Sequence, residues 1–415
     1  MGIRFLSESK GDVLRFLIVM AAAFVCYFAA LLCLRRSTSR LPAWLIIVMA
    51  AAIQIAPYRG SPLWDTDAYR YHWDGLLLAH GVNPFQYAPG DHHLARLRDS
   101  FWPSVDYKWI RTIYPPVTQL LLAGTYFLDP TPRRVLLLAM GFNLLTLWPL
   151  MLLLRARGVD EKWLAIYAWN PLLANEFAIG GHLDPISIFL LLAALYALER
   201  RQRVGAGGLL ALSVLAKTQM IFVAPLILWR TGWRGLCLFA IVAVALVLPF
   251  ASVGPGNLLS GSLAYAGQWE NNSGAFALLR VAFGSHAARL VTAALMLALV
   301  GWITVRRGDL LLHTGLVLGS LLLLSPAFFP WYVSWVLPFV CFYRSVTWVA
   351  IPALLLAPYV LYYDRALGFQ VRLVEIPLMY LLGLGEYLWW RRRRRADGGA
   401  TTRVTPSSPD NPSGL

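Results

Sequence analysis

The chain has 415 residues, 58% of them hydrophobic and 14% charged, with a mean hydropathy of +0.59, which excludes an ordinary soluble globular protein and reads as a polytopic membrane protein. The net charge of +15 suggests a nucleic-acid partner only until the charges are placed. Basic residues cluster in short connections (Arg35, Arg36 and Arg40; Arg155, Arg157 and Lys162; Arg200, Arg201 and Arg203; Arg230 and Arg234; Arg306 and Arg307; Arg391 to Arg395), the positive-inside pattern of cytoplasmic loops and not the continuous basic face that nucleic acid requires.

In chain order, the first apolar run, 13–34, leads into Leu34-Arg35-Arg36 with no small-residue cleavage site, so it reads as a retained helix and not a signal peptide. Further runs follow at 41–57, 113–128, 135–154, 163–179, 184–198, 204–216, 219–230, 234–250, 287–305, 309–327, 330–343, 346–362 and 370–390. Several fall short of the roughly 20 residues that a bilayer core needs, so some are tilted or half-inserted pieces. The predicted fold is an all-α bundle of about 11 to 14 transmembrane helices. Residues 1–395 form a single membrane domain, and the Gly, Ser, Thr and Pro-rich tail 396–415, with nothing to bury, is expected to be disordered and cytoplasmic. Cys26, Cys33, Cys237 and Cys341 all lie in apolar runs, where they act as small hydrophobes.

Two long connections interrupt the runs, 58–112 and 251–286. The first holds six Asp against six basic residues and four of the seven His, so it lacks the basic excess of the other loops and is assigned to the outer face. Counting crossings back from Arg391–Arg395, held inside, puts Gly180 to Pro185, Lys217, the 251–286 loop and Pro330-Trp331-Tyr332 outside. The count works for 58–112 only if 113–128 does not cross.

Five unusual clusters then converge on one side: Asp65, Asp67 and Asp74; Tyr114-Pro115-Pro116; His182 and Asp184; Lys217; and Trp331-Tyr332. Ionisable groups beside apolar spans are costly and therefore candidates for function. Four of the five also have a plainer account. Thr66 or Asp65 caps a helix, and Asp67 pairs with Arg70 three residues on. Asp184 is an N-cap with Pro185 at the first helical position. Lys217 snorkels to the interface, or else meets a phosphate. Trp331 and Tyr332 belong to an interfacial aromatic belt. Asp91-His92-His93 invites a metal, but its charged flanks favour a solvated loop, and no metal or cofactor is expected.

Taken together, Asp67-x-Tyr-Arg-Tyr-x-Trp-Asp-Gly, Gly81-x-Asn83-Pro84-Phe85, Thr112-Ile113-Tyr114-Pro115-Pro116-x-x-Gln119, Asn170-Pro171-Leu172 with Gly181-His182-x-Asp184, Ala216-Lys217 and Phe329-Pro330-Trp331-Tyr332 resemble, in order and spacing, the GT-C superfamily of membrane glycosyltransferases. The similarity covers roughly 55 to 390 and points to the bacterial branch that uses polyprenyl-phosphate sugars and is usually mannosyltransferase. It implies a GT-C-like bundle with a helical first outer loop, in the bacterial inner membrane with its active site on the outer face. The implied reaction is an inverting transfer of a sugar, mannose by the resemblance, from a polyprenyl-phosphate donor to a hydroxyl on a glycolipid or glycan acceptor. Asp67 matches the catalytic base, with Asp65 a close alternative. Arg70, Lys217 and His182 are available for the donor phosphate, and Asp184, Tyr114, Trp331 and Tyr332 for substrate. A transporter or flippase of a lipid-linked sugar is the alternative of another class, although it would more often show repeated halves with charges at the midplane. A glycan polymerase or ligase using lipid-diphosphate donors is the rival among enzymes. The sequence leaves the sugar, the acceptor and the oligomeric state open.

Overall fold

The computed structural model describes residues 10–39, 41–60 and 66–400. Every regular element among them is helical. The order begins with α1 (Lys10–Arg36) and α2 (Ala43–Ile55), then α3 (Asp67–Ala79) in the first long connection, and α4 (Pro116–Tyr126), α5 (Arg133–Ala156), α6 (Ala165–Ala168) and α7 (Pro171–Ala178). Next come α8 (Asp184–Glu199), α9 (Arg203–Ala216), α10 (Ala224–Val247), α11 (Gly254–Gln268), α12 (Gly274–Val305) and α13 (Leu310–Leu324). The chain closes with α14 (Leu337–Tyr343), α15 (Val346–Leu354), α16 (Ala357–Tyr363) and α17 (Arg365–Ala400). The last helix runs past 396, where the tail was expected to begin, and residues 401–415 lie outside the described ones.

Five stretches among the described residues are long and apolar enough to cross a membrane, Asp12–Arg36, Arg133–Ala156, Ala224–Gln268, Gly274–Val305 and Ala366–Arg392, with four shorter apolar helices beside them. The expected 11 to 14 spans are not matched one for one, because Asn170-Pro171 and Pro330 divide their apolar runs into short buried pieces. Such broken backbone is tolerated at membrane depth only where protein covers it, and α6, α7 and α14 are indeed almost wholly buried. By contrast α12 exposes Leu278, Val281, Leu290 and Leu297, an apolar surface that calls for lipid. With 11 residues, α4 is about 16 Å long, half a bilayer core, and by itself too short to cross.

The core helices carry their polar residues at opposite ends. Over its 16 residues α8 starts at Asp184 and ends at Glu199, about 24 Å away. At the Glu199 end, Arg157 donates from Nε to Glu199 at 2.7 Å and from Nη1 to Asp309 at 2.5 Å, and the Tyr343 hydroxyl donates to Asp309 at 2.5 Å. These bonds gather the ends of α5, α8 and α14 and the start of α13, and with them the basic loops at 155–162, 199–203, 306–307 and 344. At the Asp184 end lie His182, Lys217 and Tyr332.

The pair α9 and α10 is drawn together by glycine. A Cβ on Gly207 would run into the carbonyl oxygen of Gly235, so the two backbones touch where small residues replace side-chain interdigitation. Gly207→Val is expected to lower stability by about 1–3 kcal/mol through overpacking, read as a lower midpoint of thermal unfolding in detergent, whereas Gly205→Ala, which faces open space in the same helix, does not lower it.

Candidate active site

The site is assembled on the start of α3. Thr66 does not cap the helix with its side chain. Its hydroxyl instead donates to Asp106 Oδ2 at 2.5 Å and ties the helix start to the far end of the same connection. Asp67 is the first helical residue, where the positive end of the helix dipole favours a carboxylate. Its side chain is 27% exposed and its Oδ2 stands 3.6 Å from His182 Nδ1. The expected Asp67–Arg70 pair does not form: Arg70 donates from Nε to Asp74 at 3.1 Å and from Nη2 to the Ile110 carbonyl at 2.9 Å. Asp74 also accepts from the Thr112 hydroxyl at 2.5 Å, so its buried carboxylate fastens α3 to the segment before α4. Asp65 lies outside the described residues.

Behind α3, His72 fixes the helix to its surroundings. Arg134 Nη1 donates to His72 Nδ1 at 2.7 Å, which leaves the proton on Nε2 to bond Asp99 Oδ2 at 2.6 Å. Burial holds the His72 ring below its ordinary pKa, partly countered by Asp99, so the ring is neutral and serves as scaffold.

Two of the plainer sequence accounts fail here for one reason. Asp184 does not cap α8: Leu183 holds the cap position, and the fully buried Asp184 carboxylate reaches across to Lys217 Nζ at 3.0 Å and accepts from Trp335 Nε1 at 2.7 Å. Nor does Lys217 snorkel. It stands in extended backbone between α9 and a short 3-10 turn, with its ammonium 5.1 Å from the centre of the Tyr332 ring. No acid lies near Lys217 in sequence, so only the fold supplies Asp184 as its counter-charge. The aromatic belt fails likewise. Tyr332 is buried and shares a 2.7 Å hydroxyl contact with Tyr265, and Trp331 stacks on His182 with ring centroids 3.6 Å apart. Tyr114 packs its ring against Tyr71 at 4.4 Å, and burial raises the pKa of both hydroxyls, which keeps them neutral.

These groups line one cleft, bounded by Asp67, Arg70, Tyr71, Tyr114, Lys217, Trp331 and Tyr332, with Tyr107, Tyr265 and Trp269 completing it. The last three were not singled out in the sequence, and neither was Glu176, whose Oε2 lies 3.4 Å from His182 Nε2. A lone acid inside the apolar run 163–179 is the signal that marks Glu176. Gly261 explains how Tyr265 arrives: a Cβ there would strike the carbonyl oxygen of Thr112, so α11 sits directly on the backbone beneath it. Elsewhere, Asp91 accepts from the backbone N–H of His93 at 3.0 Å and lies 2.8 Å from its Nδ1, an exposed turn apart from the cleft. Those two bonds hold its carboxyl below the usual range.

Arg70 and Lys217 are thus already matched by Asp74 and Asp184. Any anion in the cleft meets two fixed, internally neutralised cations and shares their protons with carboxylates. Asp184→Asn strands the Lys217 charge in a nearly dry setting and is expected to cost on the order of 3 kcal/mol, while adding Lys217→Met recovers part of that loss. Thermal unfolding of the two single variants and the double variant measures the coupling, and strict additivity would refute it.

Comparison with known proteins identifies a family. The family described as alpha-(1->6)-mannopyranosyltransferase, N-terminal domain, matches residues 1–232, more than half the chain and all of α3 to α9. The curated relative alpha-(1->6)-mannopyranosyltransferase A of Mycobacterium tuberculosis (strain ATCC 25618 / H37Rv) is 24% identical over 322 residues, 66% of this chain; the match spans 60% of the relative's own length. No solved structure matches the chain at a significant level. The match over 1–232 makes this chain a member of the family described as alpha-(1->6)-mannopyranosyltransferase, N-terminal domain.

Proposed function

We propose that the protein transfers a mannosyl residue, with inversion, from a polyprenyl-phosphate donor to a hydroxyl of a glycan or glycolipid at the outer face of the bacterial cytoplasmic membrane. The observation that carries this reading is the position of Asp67: a partly exposed carboxylate at a helix N-terminus, opening on a cleft walled by aromatic rings and two fixed cations.

The chemistry follows from those groups. The acceptor oxygen attacks the anomeric carbon from the face opposite the phosphate while its proton passes to the Asp67 carboxylate, and the bond from carbon to phosphate oxygen breaks with its electron pair going to the phosphate. Negative charge grows on the leaving polyprenyl phosphate, where the Lys217 ammonium and the Arg70 guanidinium stabilise it without having to reorganise. Trp331 and the tyrosines offer flat apolar faces to a sugar ring. A lipid phosphate joins a charged head to an apolar tail, which suits a polar cleft at the end of lipid-facing helices. A transporter would be expected to place its ionisable groups near the middle of the spans; here they gather at the Asp184 end of α8.

Asp67→Asn should lower turnover of polyprenyl-phosphate-mannose by about 10²–10⁴-fold with donor binding retained, measured by mass spectrometry of product formed by purified protein. Normal turnover would remove Asp67 from the mechanism, and lipid translocation without any product would favour the flippase. Lys217→Gln should raise donor KM, or lower kcat if the contact tightens on the leaving phosphate, with acceptor KM little changed. For sidedness, single cysteines at 256–268 should react with an impermeant reagent from outside while those at 200–203 stay protected. The reverse pattern would turn the cleft to the cytoplasm.

A further inference from the structure

One imidazole links a carboxylate in the cleft to a carboxylate behind it. His182 is fully buried and lies flat against Trp331, 14° from parallel. Its Nδ1 faces Asp67 Oδ2 at 3.6 Å, and its Nε2 faces Glu176 Oε2 at 3.4 Å. Glu176 is 2% exposed, does not line the cleft, and is gripped from behind: its Oε1 accepts from the Tyr359 hydroxyl and, at 3.2 Å, from Asn175 Nδ2.

The backbone is shaped to make this line. Gly181 adopts φ +72°, a conformation that costs other residues strain, and a Cβ on Gly180 would stand 2.7 Å from the Glu176 carbonyl oxygen and 3.0 Å from His182 Cδ2. The chain therefore turns back on the end of α7, the His182 N–H bonds the Glu176 carbonyl at 3.2 Å, and the ring is delivered between the two acids. An acid buried this deeply is expensive unless something answers its charge. A carboxylate only accepts, so a ring that faces one at each nitrogen answers both only when both nitrogens carry protons.

We infer that Glu176 is a positioning residue which, through His182, holds an imidazolium against Asp67, so that one oxygen of the base is fixed and the carboxylate stays ionised for proton abstraction. This rests on the reading of Asp67 as the base. Two other cations lie close by, and the pairs Arg70–Asp74 and Lys217–Asp184 are each neutralised internally. With Glu176 uncharged, the ring gives up its second proton, Asp67 loses the cation beside it, and the base protonates at higher pH.

The test compares Glu176→Gln, Glu176→Asp and Tyr359→Phe with the unaltered protein, using polyprenyl-phosphate-mannose as donor. Glu176→Gln should lower kcat by about tenfold or more near neutral pH and move the acidic limb of the kcat profile up by about one pH unit, with donor KM within about twofold. Glu176→Asp should restore part of both, and Tyr359→Phe should shift the limb in the same direction but less. A kcat lost with the limb unmoved would make Glu176 a packing residue and overturn the inference, as would an unchanged kcat. Nitrogen NMR of histidine-labelled protein, with the His182 signals assigned by their absence in His182→Gln, gives a readout independent of turnover. Two protonated ring nitrogens, reduced to one in Glu176→Gln, are expected, and a singly protonated ring in the unaltered protein would refute the inference. If Asp67→Asn proves active, the base reading fails by itself, and the NMR comparison still decides whether Glu176 sets the state of His182.

Discussion

The buried ion pair between Asp184 and Lys217 is the contact on which the rest of the cleft depends. It joins the first residue of α8 to the junction of α9 and α10, and through Trp335 Nε1 it takes hold of the 3-10 turn Pro330–Trp335 as well. Each partner alone would be a stranded charge in a setting with little water. Held together, they set the level at which α9 ends, and so where Tyr332 meets Tyr265 and where Trp331 lies against His182. The aromatic wall is thus positioned by an electrostatic requirement, with stacking refining what the pair has already placed.

A second constraint is the treatment of acids near the membrane. Asp74, Asp184 and Glu176 are buried and each has named donors, whereas Asp67 keeps part of its surface open to the cleft. The three buried acids organise structure; the proposed mechanism gives the chemistry to the partly open one. Sequence position alone does not separate the roles, since Asp67 and Asp74 lie seven residues apart on one helix and differ only in what the fold brings to them.

The convergence of distant clusters was legible because hydrophobic runs and basic loops set a strict alternation of sides, and parity then forces Asp67, His182, Asp184, Lys217 and Trp331 toward one end. Their pairing was not legible. Local rules offered Asp184 as a cap, Lys217 as a snorkelling side chain and Arg70 as the partner of Asp67, and in each case a contact across many residues won, because a buried charge gains more from an opposite charge than from a local hydrogen bond. Glu176 escaped notice as a single acid in an apolar run whose only visible justification, His182, is six residues away across a glycine turn. The count of 11 to 14 spans is not reproduced by helix length, since proline divides several apolar runs into short buried pieces and five described stretches are long and apolar enough to cross.

The brevity of α9 bears on the ion pair itself. Its 14 residues carry Arg203 at one end and Lys217 just past the other, a rise of about 21 Å, well short of the roughly 30 Å hydrocarbon core of an ordinary bilayer. The helix packs between α8 and α10, and its Lys217 end is closed inside the protein by Asp184 rather than left to lipid. A longer helix in this place would carry its end past Asp184, so the shortness of α9 is what lets the Lys217 ammonium meet the first residue of α8.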